Sequence, residues 1–551
     1  MDTLRFVLFL SLAMVGMLLW QAWQTDYGAP AATVAAPAPA TGSPSEAPGV
    51  RSAEVPVVPD VTAPATEVAA AGAAATDTVT ATTDVLRIEF DTRGAGMRRV
   101  ELLGYPVSLE EPDVPLVLFD GGGADQYVVQ GGLLSRQAAP THEAGFTSPQ
   151  REYVLDPARH SLSVPFVWRG GEVEVTKRYE FERASYLVSV SYEVRNTGQQ
   201  LWQGRSYLQI QRSDPGRAGR RLIYTYIGAV LSSAENRYQK IDFDEIREQP
   251  IETDIVDGWA AMLQHYFVTA IVPEDHTASF RYYTRELPQA RFAVGAISPP
   301  AEAGAGETAL LREQIYAGPK VQSALEQIAP GLELTVDYGV LWILAKPLYW
   351  CLERLHGLIG NWGWAIVLVT VLLKLVFFHL SAAGYRSMAN MRRVQPRIMA
   401  LRDRYTDDRA RLNQAMMQIY KEEKINPFGG CLPILIQIPV FIALYWVLLE
   451  SVELRQAAFV LWIQDLSRPD PYYVLPLVMG VTMFVQQKLN PAAMDPVQEK
   501  VLQIMPFAFT IFFAFFPAGL VLYWVVNNVL SIAQQWLITK HIVQPTPPAA
   551  Q

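Results

Sequence analysis

Lysine can carry a fully ionised amine on a long apolar stem, and Lys374 does so inside a run, Trp364 to Phe378, that is otherwise uncharged. At about 1.5 Å per helical residue it lies roughly 9 Å from the end, at Leu380, of the helix that holds this run. Two fates are open to such a residue. Its stem can carry the amine out to the lipid headgroups. Alternatively it belongs to a polar stripe, because Thr370 lies one turn away and Gly363 and Ser381 share its face by heptad spacing. Matching stripes occur elsewhere: Tyr523, Asn527 and Ser531 fall at four-residue steps with Asn528 and Gln535 beside them, and Gln437 and Gln503 lie in two further apolar runs. The plain alternative for these groups is interhelical hydrogen bonding, worth about 0.6 kcal/mol each. Both descriptions can hold at once.

The apolar runs that follow Leu341 contain no Asp or Glu in their interiors, so no carboxylate offers itself as a partner for Lys374. An unpaired ammonium in hydrocarbon is costly, and a water-filled cavity open on one side relieves that cost. Such a cavity attracts acidic or polar peptide. The sequence has no GxxxxGK[ST], HExxH or GxSxG, the commonest nucleotide, zinc and serine-hydrolase signatures. A proton relay needs a chain of acids or histidines, and only His379 stands near a helix end. Binding is therefore the expected chemistry, with no enzyme activity, cofactor or metal.

The elements that position these residues follow from composition. The 551 residues are 50% hydrophobic and only 18% charged, below the roughly 25% of a soluble domain. The apolar residues crowd the first 25 positions and nearly everything after Leu341, so the chain reads as part membrane protein and part soluble domain. A formal charge of −9 excludes a general nucleic-acid binder. Cys351 and Cys431 form no disulfide framework or ligand cluster, and two reduced, buried thiols are expected. Leu4 to Trp23 is longer than the about 7 to 15 apolar residues of a cleaved signal peptide and reads as a retained helix with interfacial Trp20 and Trp23. From Thr25 to Asp84, Ala, Pro and Thr supply 36 of 60 residues with no Leu, Ile, Phe, Met or Trp, which predicts a disordered tether.

Period-two alternation runs from Val85 to Tyr338, as in Glu172 to Glu182 and Tyr186 to Val194, and predicts a large antiparallel β-sandwich, either a ligand binder or a docking module. The following stretch mixes Trp342, Trp350 and Leu352 with Lys346, Glu353, Arg354 and His356, and suits a helix lying along a membrane surface. Trp362 to Leu380, Cys431 to Leu449, Tyr472 to Gln487 and Val501 to Ile538 are spanning candidates, the last counted as two crossings hinged at Pro517, Ala518 and Gly519. With the first helix this makes six. Residues 381–424 hold ten Lys or Arg against five Asp or Glu, which places that loop in the cytoplasm, the β-domain outside and both termini inside. The loop reads as a helical hairpin, with Met388, Met391, Ile398, Leu401 and Tyr405, then a cap among Thr406, Asp407 and Asp408, then Leu412, Met416 and Ile419. Its methionines offer an adaptable apolar surface to clients.

Five stretches resemble the YidC/Oxa/Alb membrane protein insertases in their long Gram-negative form: Gly258 to Pro273, Gly360 to Thr370, Asn426 to Ala457, Asp470 to Lys488 and Phe515 to Asn528. The resemblance implies a polytopic helical protein of six transmembrane helices. Five of them form a core enclosing a hydrophilic groove, joined to a periplasmic β-supersandwich similar to sugar-epimerase folds and to a cytoplasmic hairpin. The family usually has arginine where this chain has Lys374, and a tyrosine where it has Trp524; Thr370 and the pair Tyr523 and Trp524 fall where the family places groove and client-contact residues. Lysine keeps the charge but not the forked donor geometry.

On this reading the chain divides into an anchor helix 1–24, a linker 25–84, the β-domain 85–340, an interfacial helix 341–357, spans at 358–380, 429–450, 471–488, 501–517 and 518–540, the hairpin 381–428, and a tail 541–551. The implied location is the bacterial inner membrane. The implied partners are nascent membrane proteins, the Sec translocon, ribosomes and lipids. The segment after Ile538 carries only Lys540 and His541 where many relatives end in a basic extension, which weakens it as a ribosome contact. Two rival readings are a solute transporter using the same cavity, which paired inverted repeats would favour, and an anchored sugar-binding protein, which leaves five helices without a role.

Overall fold

Alternating residues give a strand one buried face, and the strand Val173–Glu182 shows how the sandwich is built: Val173, Val175, Lys177, Tyr179 and Phe181 point inward. Its neighbour Leu187–Asn196 sends Val188, Val190, Tyr192 and Val194 into the same core. The computed structural model describes residues 54–56, 77–122, 125–216, 225–405, 408–423, 432–489 and 496–541. The expected first helix, most of the tether, Cys431, Thr406 and Asp407, and the tail beyond His541 lie outside them.

Two sheets stack face to face. One has eight strands, ordered Gln239–Ile241, Gly228–Ser232, Trp259–Leu263, Phe267–Pro273, Thr308–Pro319, Leu187–Asn196, Val173–Glu182 and Ser161–Gly170. The other has eleven, and its centre runs Ser279–Leu287, Arg291–Ile297, Trp202–Ser213, Tyr127–Ser135, Gly96–Pro106, Leu86–Asp91 and Thr78–Thr82. Pairing is antiparallel except where Thr78–Thr82 meets Glu152–Val154 in parallel. Thr78–Thr82 corrects the expected tether boundary, because Val79 and Ala81 pair with Phe90 and Ile88 and are buried. Alternating threonine with two small apolar residues is enough for a strand that borrows its core from a neighbour. Residues 54–56 also leave the expected disordered linker and sit on the sandwich. Two short helices, α1 (Phe243–Glu248) and α2 (Gln322–Ile328), pack at the edges.

The helical region comprises α3 (Trp342–Ile359), α4 (Trp362–Val376), α5 (Phe378–Arg404), α6 (Arg409–Glu422), α7 (Leu432–Glu450), α8 (Val474–Leu489), α9 (Pro496–Phe513) and α10 (Ala518–His541). Gly360 ends α3 with φ +73°, a left-handed cap that glycine adopts without strain, and Asn361 caps α4 by accepting from the Trp364 N–H at 3.1 Å. Gly363 is required where it stands, since a Cβ there would lie 2.0 Å from the Phe459 ring. It serves packing at the start of α4 and does not extend the polar stripe of Lys374.

The expected single helix across 358–380 is instead broken at Phe377, where α4 and α5 meet at 68°. At about 1.5 Å per residue the 15 residues of α4 reach only about 22 Å, short of about 30 Å of hydrocarbon. Among the described residues no single helix is long and apolar enough to cross a membrane, so the six-span count finds no counterpart in individual helices. In α10 the reason is visible: Asn527, Asn528, Ser531, Gln534 and Gln535 interrupt the apolar run. Helices α5 and α6 pair through Val394, Ile398 and Tyr420, with Met391 and Met416 against them. Asp408 caps α6 through the Arg411 N–H. Cys351 is half-buried rather than enclosed. On α3, Ala345, Leu348, Tyr349 and Leu352 face the protein, whereas Trp342, Ile343, Trp350 and Leu358 are exposed.

The sandwich is joined to the helices by buried polar contacts. Lys320 Nζ donates to Glu450 Oε2 and to the Thr335 carbonyl, each at 3.1 Å, with both charged side chains at least 94% buried. Within the helical region Tyr349 donates to Glu453, and within the β-domain Trp259 donates to the Pro330 carbonyl. His265 Nε2 lies 3.0 Å from the Leu449 carbonyl, so that nitrogen carries the proton, and the ring stacks on Tyr266 at 3.8 Å. Burial, and then the nearby Lys320, lower the pKa of His265 from 6.5 to about 4. The unfolded chain therefore takes up this proton first as the pH falls. The stability contributed is complete above pH 6.5 and drains away between pH 6.5 and 4, by about 3 kcal/mol for a shift of this size. Thermal melts of the chain in detergent from pH 7.5 to 4.5 are expected to show that loss and His265→Gln to flatten it; an unchanged slope in the variant would exclude His265 as its source.

Candidate functional site

Lys374 lies in the last turn of α4 and meets α10 there: its Nζ donates to Ser531 Oγ at 2.7 Å. Ser531 in turn donates to the Asn527 carbonyl at 2.7 Å, and the Tyr385 hydroxyl of α5 also reaches it. Gln437 of α7 donates from Nε2 to Asn527 Oδ1 at 2.6 Å and is bonded to the Tyr523 hydroxyl. Four helices are thus linked by one polar chain that begins at an ammonium and ends at a phenol. Each link arises from four-residue spacing on α10, which sets Tyr523, Asn527 and Ser531 on one face.

These residues border a recess whose remaining wall is Thr370, Leu373, Phe377, Leu380, Ser381, Ile436 and Val440. Thr370 is fully buried and donates to the Ile366 carbonyl at 2.7 Å, so its oxygen lone pairs remain to face the recess. The recess spans about 410 Å3 up to its mouth. The recess takes the form of a slot between α4, α5, α7 and α10. Its apolar wall brings Leu373, Phe377, Ile436 and Val440 close around the polar chain. Lys374 has a protein partner after all, a hydroxyl rather than a carboxylate.

The sequence-derived candidates divide into two groups. Lys374, Thr370, Tyr523, Asn527, Gln437 and Ser531 come together. Trp524 does not line the recess: it packs against Phe441 at 4.9 Å and Phe513 at 5.8 Å, with its indole N–H buried and unpartnered among the described residues. Asn528 and Gln535 turn to α8, donating to Thr482 Oγ1 and the Leu489 carbonyl. Met391 and Met416 hold α5 to α6 and Met388 is half-buried, whereas the exposed methionines are Met399 and Met417. Tyr385 was missed because it lies beyond the break, where a straight helix would not bring it back to Ser531.

The chemistry available is that of a binding site. The ammonium spends one of its three donors on Ser531, and the rest can meet a carboxylate or carbonyl from a visiting chain. Among the described residues no group of three or more His, Cys, Asp or Glu could hold a metal ion.

Residues 78–351 match the family model described as YidC periplasmic domain, and residues 354–545 that described as 60Kd inner membrane protein. A Methylococcus capsulatus protein named Membrane protein insertase YidC is 48% identical over 554 residues, covering 99% of each chain. Relatives of the same name from Thioalkalivibrio sulfidiphilus and Pseudomonas putida are 49% and 44% identical, covering 98% and 100% of this chain and 99% and 100% of theirs. A solved structure described as an active YidC insertase with its first transmembrane domain resolved aligns with a TM-score of 0.38 at 17% identity, over 82% of this chain and 90% of that one.

Proposed function

Because the chain belongs to the YidC family of membrane protein insertases, we propose that the slot between α4, α5, α7 and α10 is where it receives client polypeptide. The protein is an insertase of the bacterial inner membrane with a periplasmic β-domain, and nascent membrane proteins are its substrates. Kinship over the whole chain leaves the transporter reading without support. The observation that carries the proposal is the polar chain Lys374, Ser531, Asn527, Gln437 and Tyr523 set in an otherwise apolar wall.

In this mechanism the slot widens around the polar flank of a client helix. Lys374 and the amides replace part of the water that the flank gives up, and the apolar part of the client partitions into lipid, which supplies the drive. Insertion of this kind needs no nucleotide. The proposed topology has six spans with both termini cytoplasmic. The α5–α6 hairpin faces the cytoplasm, supported by the excess of basic residues in 381–424, and α3 lies on the outer surface with Trp342 and Trp350 toward lipid. Met399 and Met417 join Met388 as apolar contacts for clients. The Sec translocon, translating ribosomes and lipids are the proposed partners, on the ground of the same kinship.

Photo-crosslinkers at Thr370 and Tyr523 are expected to capture a stalled nascent chain, while one at the lipid-side Leu372 captures far less. Equal yields from all three positions would place the client outside the slot. Removing much of residues 85–330 is expected to reduce insertion less than shortening the hairpin. The opposite ranking would move the function to the outer domain.

A further inference from the structure

The eleven-stranded sheet has a second face, turned away from its partner sheet, on which residues 54–56 rest. On the strand Trp202–Ser213, Leu208 and Ile210 enter the inter-sheet core, so Tyr207, Gln209 and Gln211 point the other way. Residues on an outer sheet face are normally wet, yet Tyr207, Gln209 and Gln211 are at most 1% exposed. Part of what covers them is Glu54 and Val55, with Pro56 buried beside them.

The contacts read both side chains and backbone. Arg291 Nη2 donates to the Glu54 carboxylate at 2.5 Å while its Nη1 donates to Gln211 Oε1 at 3.2 Å, which fixes the guanidinium. Gln209 donates to the Glu54 carbonyl and Arg285 to the Val55 carbonyl, both at 3.2 Å. Gln209 is itself held by the Tyr283 hydroxyl at 2.8 Å. Val55 packs against Leu134, Tyr207, Tyr283 and Ile297. His142 adds a further donor. The Tyr207 oxygen accepts the His142 backbone N–H and lies 2.7 Å from Nδ1; in the tautomer protonated at Nε2 the ring places an N–H donor 3.8 Å from the Glu54 carboxylate. Among the described residues both His142 Nε2 and Gln211 Nε2 are buried without a hydrogen-bond partner. Two idle donors beside a fixed guanidinium describe a carboxylate site with capacity to spare.

We propose that this face is a peptide-binding site for a short segment of the form Glu–aliphatic–Pro, and that the chain fills it in cis with the turn at Glu54, Val55 and Pro56. The glutamate is read by Arg291 and His142, the aliphatic side chain by the Tyr207–Tyr283 pocket, and the two carbonyls by Gln209 and Arg285. Proline fits the third place because no backbone N–H is needed there and its fixed φ lowers the entropy lost on docking. The site is independent of the slot around Lys374, and its ligand is an acidic peptide.

The test uses the full chain in detergent and a fluorescent heptapeptide Ser-Ala-Glu-Val-Pro-Val-Val, the sequence of residues 52–58. The double variant Glu54→Ala/Val55→Ser empties the site and is expected to bind the peptide saturably, about tenfold more tightly than the unaltered chain, whose site is occupied. Arg291→Gln in that background, or glutamine for the peptide's glutamate, is expected to weaken binding by about tenfold or more. The altered peptide keeps the test clear if Arg291→Gln disturbs folding. Absence of saturable binding, indifference to the glutamate, or equal binding by the emptied and unaltered chains would each overturn the proposal.

Discussion

Lys374→Ala is expected to lower insertion of clients with acidic exported flanks by about tenfold or more, the effect of losing a charge-assisted contact of about 1.5–3 kcal/mol. Clients with neutral flanks should lose far less, and Lys374→Arg should retain most activity with both. The structure gives the reason for the separation. The amine is anchored at one point, Ser531, so alanine removes the charge but leaves the helices joined through Gln437 and Asn527. Arginine retains a donor for Ser531 and presents more donors toward the opening. The measurement is insertion into liposomes containing the purified protein, with paired clients differing only in flank charge. If the alanine variant handled both members of each pair equally well, the electrostatic part of the mechanism would be lost.

The largest expected stability effect lies at the joint between sandwich and helices. Glu450→Leu leaves the Lys320 ammonium buried with only the Thr335 carbonyl, and Lys320→Met strands the Glu450 carboxylate. Each change alone is expected to cost about 3–5 kcal/mol, whereas the double variant should recover most of the loss, because two apolar groups of similar volume avoid burying an unpaired charge. Denaturant titration of the full chain in detergent, read through the four members of the cycle, checks this. Additive losses would mean that the two residues act separately and that the pair is not what locks the joint.

Much of this architecture is legible in the sequence because its signals are periodic. Alternation identifies the sandwich since each strand buries its own apolar face, and the four-residue spacing of Tyr523, Asn527 and Ser531 gives the polar face of α10 directly. What escapes reading is set by partners distant in sequence. Thr78–Thr82 is a strand only because Leu86–Asp91 lies beside it, so composition averaged over the linker hides it. The break at Phe377 has no proline or glycine to announce it. Without it, Tyr385 cannot be assigned to the slot. Lys374 shows the same limit: a search for acidic partners overlooks a serine 157 residues away. The shape of the slot depends on how Leu373, Phe377 and Val440 pack across helices, which no single-helix pattern contains.

The break at Phe377 also bears on how the charge is tolerated. A helix presents about half a unit of negative charge at its C-terminal end, and α4 ends two residues beyond Lys374 rather than continuing straight into α5. The carbonyl end of α4 thus offsets a small part of the ammonium charge, opposed by the N–H end of α5 that begins at Phe378. Unlike a carboxylate, it cannot be neutralised by a proton, so the balance is insensitive to acidification. Because it offsets only part of the ammonium, a residual positive field remains directed at whatever enters.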